Sequence, residues 1–296
     1  MIDHGSVDAS RRLAEETCRS DNRFRLVAAE GSFANALNTG VRATHAPLIA
    51  RMDADDIAHP TRLERQVAAF AATPSLSIVS CLVSCFAEHR LGDGMRRYER
   101  WLNQLRTPEE IRDALFVESP LAHPSVVLSR TALDAVGGYR ETDGPEDYDL
   151  WMRLLLHGYE AAKVPEVLLQ WRDSARRLTR IDPRYTRQRF FETKLEHFPT
   201  LLPNHRPVQI WGTGPTGRKW GHALQRLGFT IRRFAEIDPR RVGRKKCGAP
   251  IEAPSQLRAE DGLILAAVGL LGARAQIESY LQERGMRPWK DYVAVA

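Results

Sequence analysis

Between Phe24 and Trp171, stretches with strand character alternate with stretches of helical periodicity, and that alternation confines the chain to an α/β architecture. FRLVA (24–28) reads as a strand, 33–43 as a helix, and PLIARMD as a buried strand that delivers Asp53 at its end. A helix over TRLERQVAAFAAT follows Pro60, with Leu63, Val67 and Phe70 on one face. SIVSCLVSCF and SPLAHPSVVLSR have strand character. TALDAVGGY reads as a helix stopped by glycine, and EDYDLWMRLLLHG as a helix ended at Gly158. This order predicts a mixed, mainly parallel sheet between helices.

The opening is different. Met1-Ile2 and then Asp3-His4-Gly5-Ser6 look like the end of a strand and its turn, with no strand body before them. Ser6 and Asp8 are capping residues for a helix from Ala9 to Arg19 with Leu13 on its apolar side. At the other end, FPTLLPNHRP (198–207) holds three prolines and is the predicted linker. With 296 residues, more than one domain of usual size, the expected division is 1–197, a linker at 198–207, and 208–296. The last part begins with the strand VQIW, a glycine turn and a helix, and continues with strands at TIRRFAEID, LILAAV and DYVAVA.

Composition excludes several classes. Hydrophobic content of 43% with 27% charged residues fits a folded globular chain. The net charge of +6 is spread along the sequence with acids interleaved, so no nucleic-acid partner is expected. No run approaches the ~20 apolar residues of a membrane helix, and MIDHGSVDASRR lacks the apolar centre of a signal peptide. A cytoplasmic location is the expectation, with peripheral contact to a membrane surface left open. The four cysteines show no paired-ligand spacing and read as reduced thiols.

Two acidic motifs carry the chemistry. Asp53-Ala54-Asp55-Asp56 stands at a strand end, where three carboxylates that repel one another become useful if a divalent cation lies between them and a phosphate. Extended backbone would turn Asp53 and Asp55 to one side. Glu146-Asp147-Tyr148-Asp149-Leu150-Trp151 opens a helix, where the dipole favours carboxylates. Each has a bland reading, a solvated acidic turn and an acidic helix start. The two lie about 90 residues apart, one at a strand end and the other at a helix start.

That combination resembles the family 2 inverting glycosyltransferases of the GT-A fold, over most of residues 1–171. Matching segments include IDHGSVD, ANALNTGV, IARMDADDIAHPTRLERQ, HPSVVLSRTALDAVGGYRE, EDYDLWMRLLLHG and VPEVLLQWR. The resemblance implies a nucleotide-sugar donor, a UDP-sugar, and a sugar, lipid-linked or polysaccharide acceptor. It assigns Asp53 and Asp55 to the D-x-D motif, with Asp55 the ligand of Mg²⁺ or Mn²⁺, and Asp147 to the general base. Asn38 corresponds to a position near the nucleotide, and Asp3 to the first carboxylate of a turn that holds the base. His4 replaces the usual second carboxylate. Relatives begin with a further strand and base-holding turn, so the sheet is expected to lack its first strand. The alternative is a nucleotide-sugar-binding protein impaired in catalysis.

Other residues receive plainer expectations. Glu146 reads as a helix cap or an acceptor contact, and His123 as a packing residue. Arg62 and Gln66 read as a solvated helix face, and the basic stretch Arg172 to Arg189 as a charged helix.

A third motif is Gly212-Thr213-Gly214-Pro215-Thr216-Gly217, with Asp238 about 20 residues further on. Gly212, Gly214 and Gly217 could admit a pyrophosphate at the helix start while Asp238 meets a ribose, or they could serve close packing. This Rossmann-like part resembles the small nucleotide-sugar-binding domains that precede some bacterial sugar acyltransferases. A nicotinamide-dependent oxidoreductase built on Gly212 to Gly217 is a further alternative, without evident hydride-transfer partners.

Overall fold

The computed structural model describes every residue except His89, Arg176 and Leu271. The chain forms two compact units, Met1–Pro108 with Leu121–Thr193, and Glu109–Pro120 with Lys194–Ala296. In chain order the elements begin β1 (Ile2–Asp3), α1 (Ser10–Ser20), β2 (Val27–Ala28), α2 (Phe33–Arg42), β3 (Leu48–Ala50) and β4 (Ile57–Ala58). Next come α3 (Arg62–Ala72), β5 (Leu76–Phe86), α4 (Asp93–Gln104), α5 (Pro108–Asp113), β6 (Val127–Ser129) and α6 (Arg130–Ala135). They are followed by α7 (Glu146–Leu156), β7 (Glu160–Arg172), α8 (Leu178–Ile181), α9 (Arg187–Leu201), β8 (Val208–Trp211) and α10 (Pro215–Arg226). The chain ends with β9 (Ile231–Ala235), β10 (Lys245–Lys246), β11 (Ala249–Glu252), β12 (Leu263–Ala266), α11 (Ala273–Gln282) and β13 (Tyr292–Ala294).

In the first unit β3, β6, β5, β7 and β4 lie in that order, and β1 pairs with β2 in a separate parallel pair. The long strands β5 and β7 run parallel from Leu76 beside Glu160 to Phe86 beside Arg172, while the outer pairs are antiparallel. Leu76, Val79, Val83, Leu102, Leu168 and Trp171 form a core cluster on this pair. The hydrophobic run of β5, buried from Leu76 to Val83, is that of a strand covered on both faces. Gly137 and Gly138, both at positive φ, end the turn after α6.

Helix α3 departs from its expected orientation. Leu63 and Val67 are about half exposed, whereas Arg62 and Gln66 are buried. The reason is hydrogen bonding: Arg62 Nη2 donates to Arg51 O at 2.9 Å, and Gln66 Nε2 donates to Val79 O and Ser125 O at 2.7 and 2.8 Å. Arg62 Nε also donates to Gln66 Oε1. Buried polar side chains are tolerated when they satisfy carbonyls in this way. Their effect is to fix the backbone that leads into Asp53. Helix α1 buries no residue, and Leu13 is exposed. Its N-cap is Ala9, without a side-chain cap, and Asp8, one residue earlier, accepts from Ser10 N at 2.9 Å.

In the second unit the order is β10, β11, β9, β8, β12, β13, and every neighbouring pair except β10–β11 is parallel. Chain connections leave β8 toward one edge and β12 toward the other, so the strand order reverses between these two. Gly217 lies against the turn after β8, where an added Cβ would come 1.9 Å from Gly212 O. The glycine here permits close approach of helix and strand. The stretch expected to be a linker is partly helical and packed, since Phe198 is fully buried against Trp220 and Phe229, and Leu202 is buried.

Candidate active site

The DADD motif occupies a turn rather than extended backbone, with Asp56 N donating to Asp53 O at 3.3 Å. The turn is clamped from the end of β7: Arg172 N donates to Asp56 Oδ1 at 2.7 Å, and Arg172 Nε to Asp55 O at 2.9 Å. Strand β4, which follows directly, pairs Ile57 with Gln170. The turn leaves Asp55 exposed, Asp53 half-buried and Asp56 buried. Asp53 Oδ2 forms an ion pair of 2.6 Å with Arg51 Nη1.

Asp56 Oδ2 is buried without a hydrogen-bond partner. Burial pushes the Asp56 carboxyl up to about 6, the Arg172 N–H opposes this, and Asp53 and Asp55 add to it. Three carboxylates crowded in one turn, one with an unsatisfied oxygen, are a hard-oxygen set suited to a divalent cation. Among the described residues they do not close into a cluster of three mutual ligands, so one or two of them would hold a cation together with oxygens of another molecule.

The second motif opens α7 directly after Pro145, the N-cap residue, with no side-chain cap. Its carboxylates have three different environments. Asp149 is fully buried between two arginines, at 2.5 Å from Arg140 Nη2 and 2.8 Å from Arg153 Nε, and so is committed to structure. Glu146 is buried as well and accepts from Tyr185 Oη at 2.6 Å, with His123 Nδ1 3.8 Å from its other oxygen. The cap expected of Glu146 is therefore not formed, because its carboxylate is held by the tyrosine.

Among the described residues, the Asp147 side chain accepts from the adjacent Tyr148 N at 2.7 Å and from no other hydrogen-bond donor, and the residue remains half-buried. Burial, with the neighbouring Glu146 charge, pushes its carboxyl up to about 7. Burial raises Glu146 too, against the opposing Tyr185 hydrogen bond. His123 is buried, bonds Tyr139 Oη at 2.8 Å through Nε2, and burial holds its pKa well below the ordinary range. A neutral imidazole here packs edge-on to Trp151, as expected of a packing residue, while also linking Tyr139 to Glu146.

Arg51 joins the two motifs. Its side chain is 11% exposed. Burial disfavours its charge, but Asp53, Tyr139 and Asp147 together hold the guanidinium above its ordinary pKa. The D-x-D turn and the start of α7 thus converge on one buried cation. The sequence alone assigns no role to Arg51 or Tyr139, and it places Tyr185 only within a basic stretch able to stack on sugars or clamp phosphates. The only sequence hint was their proximity to motif residues or to the basic stretch.

Two further expected residues are engaged within the fold. Asn38 donates from Nδ2 to Tyr139 O at 2.7 Å and accepts from Tyr139 N at 3.0 Å, so its amide is spent on that backbone. Asp3 is buried on β1; hydrogen bonding from Ser6, at 3.1 Å from its N–H, lowers the pKa of the carboxyl. His4 bonds Gly31 O at 2.9 Å. The arginines after β7 are mostly paired: Arg180 with Asp173, Arg184 with Asp182, and Arg177 stacked over Trp171 at 3.9 Å. A cavity of about 500 Å³ lies along the segment that enters α7, lined by Ser32, Arg140, Glu141, Thr142, Asp143 and Arg184.

In the second unit the glycine motif sits at the carboxyl end of β8. Thr213 Oγ1 donates to Glu236, directly after β9, and Arg241 Nη1 donates to Thr213 Oγ1 at 3.0 Å. Asp238 is bound by Arg240 at 3.0 Å and Arg241 at 3.6 Å. Gly214 caps α10 with its backbone and has open space beside it.

Residues 1–137 match the family described as glycosyl transferase family 2. The match covers a little under half of the chain, and the first unit that contains it is a mixed α/β sheet with helices. Among its relatives, the amylovoran biosynthesis glycosyltransferase AmsE of Erwinia amylovora is 33% identical over 138 residues, 46% of this chain and 49% of its own. The O-antigen biosynthesis glycosyltransferase WbnJ of Escherichia coli is 30% identical over 46% of this chain and 50% of its own. The solved mannosyltransferase PcManGT of Pyrobaculum calidifontis, in complex with GDP-Man and Mn²⁺, is 18% identical. It aligns with 97% of this chain and 71% of its own at a TM-score of 0.46. The chain spans about half the length of the two biosynthetic relatives.

Proposed function

We propose that the chain transfers a sugar from a nucleotide-sugar donor, a UDP-sugar, to an acceptor hydroxyl with inversion, using Asp147 as general base. The observation that carries this is the convergence of Asp53 and Asp147 on Arg51. It supports a site where the acceptor's proton and the donor's leaving charge are handled side by side.

Asp147 suits the base role because its oxygens are less committed than those of Glu146 and Asp149, and because a carboxyl near 7 is half ionised at neutral pH. The acceptor oxygen forms a bond to the anomeric carbon as the bond to the diphosphate oxygen breaks, and Asp147 takes the hydroxyl proton. Attack opposite the leaving group inverts the configuration. Tyr185 and His123 hold Glu146 beside it, and that charge keeps Asp147 basic enough to accept the proton. Asp55, with Asp53 beside it, would hold Mg²⁺ or Mn²⁺; the cation would offset charge on the departing diphosphate. The cavity entering α7 suits the acceptor. The names of the relatives, for amylovoran and O-antigen synthesis, support a sugar hydroxyl of a lipid-linked or polysaccharide chain.

The test is release of UDP from a panel of UDP-sugars by the full chain. With Mn²⁺ present, release is expected to be saturable, and EDTA is expected to abolish it. Asp55→Asn should raise the Mn²⁺ needed for half-maximal rate by at least about tenfold, a loss of ~1.4 kcal/mol. Turnover indifferent to both EDTA and Asp55→Asn contradicts the metal role. The alternative is donor binding without turnover. It predicts calorimetric binding of UDP-sugar with no UDP formed.

A further inference from the structure

A cavity of about 460 Å³ in the second unit is lined by five cationic side chains, Arg218, Arg241, Arg244, Lys245 and Lys246, together with Thr213 and Gly214. No carboxylate lines it. Arg218, Arg244 and Lys245 have no carboxylate within ion-pair distance among the described residues, although like charges gathered in one concavity repel one another. The other two cations shape the cavity wall: Lys246 Nζ donates to Thr213 O at 2.5 Å, and Arg241 bonds Thr213 and lies 3.4 Å from Glu236. The cavity lies between the turn after β8 with the start of α10 and the segment from Arg241 to the β10–β11 hairpin, with Ile251 of β11 in its wall.

The same residues argue against a dinucleotide in its usual pose. Glu236, the acid at the end of β9, accepts from Thr213 Oγ1 and from the N–H groups of Ile237 and Asp238. Asp238 is neutralised by Arg240 and Arg241. Neither acid is offered to a ribose diol, and cations occupy the space beside them. The start of α10, with Gly214 as N-cap, no side-chain cap and Pro215 as its first residue, lines the same wall.

We infer that this cavity is a second ligand site, independent of the transfer reaction, that takes a terminal diphosphate group, either as free pyrophosphate or as a nucleoside diphosphate. Arg218 and Lys245, two of the three cations without an ion-pair partner among the described residues, supply long-range attraction, and Thr213 and Gly214 define where the group comes to rest.

Titration calorimetry of the full chain in EDTA, with Asp53→Asn and Asp55→Asn introduced to disable the first unit's motif, tests it. Inorganic pyrophosphate and UDP are the probes. Saturable binding that weakens with salt is expected, and Arg218→Ala with Lys245→Ala should raise Kd at least about tenfold. These two side chains are exposed, so an unchanged melting curve verifies that the variant is folded. Binding of both probes identifies the diphosphate as sufficient, and binding of UDP alone assigns the site to nucleoside diphosphates. Absence of saturable binding by either probe, or binding unaffected by the double substitution, overturns the inference. A failed transfer assay leaves it standing, because no donor chemistry enters the measurement.

Discussion

Asp147→Asn is expected to lower kcat for transfer by about 10² to 10⁴-fold, the span attributed to a positioned general base, while raising the thermal stability of the protein at pH 8. The two effects have one cause. In the fold the Asp147 carboxyl is pushed from 3.8 up to about 7, first by burial and then by Glu146. Between those values the native chain binds more protons than the unfolded chain, so stability falls as pH rises from about 4 to 7, and the full penalty is present above 7. Asparagine cannot ionise and keeps an oxygen for the Tyr148 N–H, so it removes the penalty without leaving that donor unpaired. The gain in melting temperature, about 2–4 °C for each kcal/mol, should be visible at pH 8 and vanish near pH 4. Equal melting temperatures at pH 8, with kcat reduced, would show that Asp147 is not under electrostatic strain.

Arg51→Met is expected to have the second largest effect, and of opposite sign for stability. Loss of one member of a buried pair costs about 3–5 kcal/mol, but Asp53 is 39% exposed and water screens what remains. A destabilisation of about 1–3 kcal/mol is the expectation. Removal of the cation also raises the pKa of Asp147, so the pH at which activity appears should move upward. Arg51→Lys, which keeps charge but not the guanidinium plane, should recover much of the stability. Thermal melts at pH 8 and pH 5 check the first part, because the cost should shrink where Asp147 is protonated.

Periodicity and turn residues made most elements legible. The apolar run of β5, the helix beginning at Glu146 and the glycine stop at Gly158 all lie close to where local chemistry puts them. Burial of Arg62 and Gln66 was not legible, because it depends on carbonyls of Arg51, Val79 and Ser125 that only the tertiary fold brings to α3. The same limit applies to the site. Asp147 and Asp55 could be named from their motifs, but Tyr185 reaches Glu146 across 39 residues of sequence, and Arg51 acquires its role only where two distant motifs converge. Asn38 illustrates the converse: its position in a matching segment suggested a nucleotide, and the fold commits its amide to Tyr139. In the second unit the glycines were read correctly as a turn at a strand end, but the cations around Lys245 come from a later hairpin.

The pH dependence of kcat/KM, measured by UDP release with Mn²⁺ at saturation, tests the assignment of Asp147 most directly, because that ratio reports the ionisations of the free enzyme. The account predicts a rise with unit slope below an apparent pKa near 7, shared by the Glu146–Asp147 pair, and its disappearance from the residual activity of Asp147→Asn. A profile flat between pH 5 and 9, or one that survives unchanged in Asp147→Asn, would contradict it.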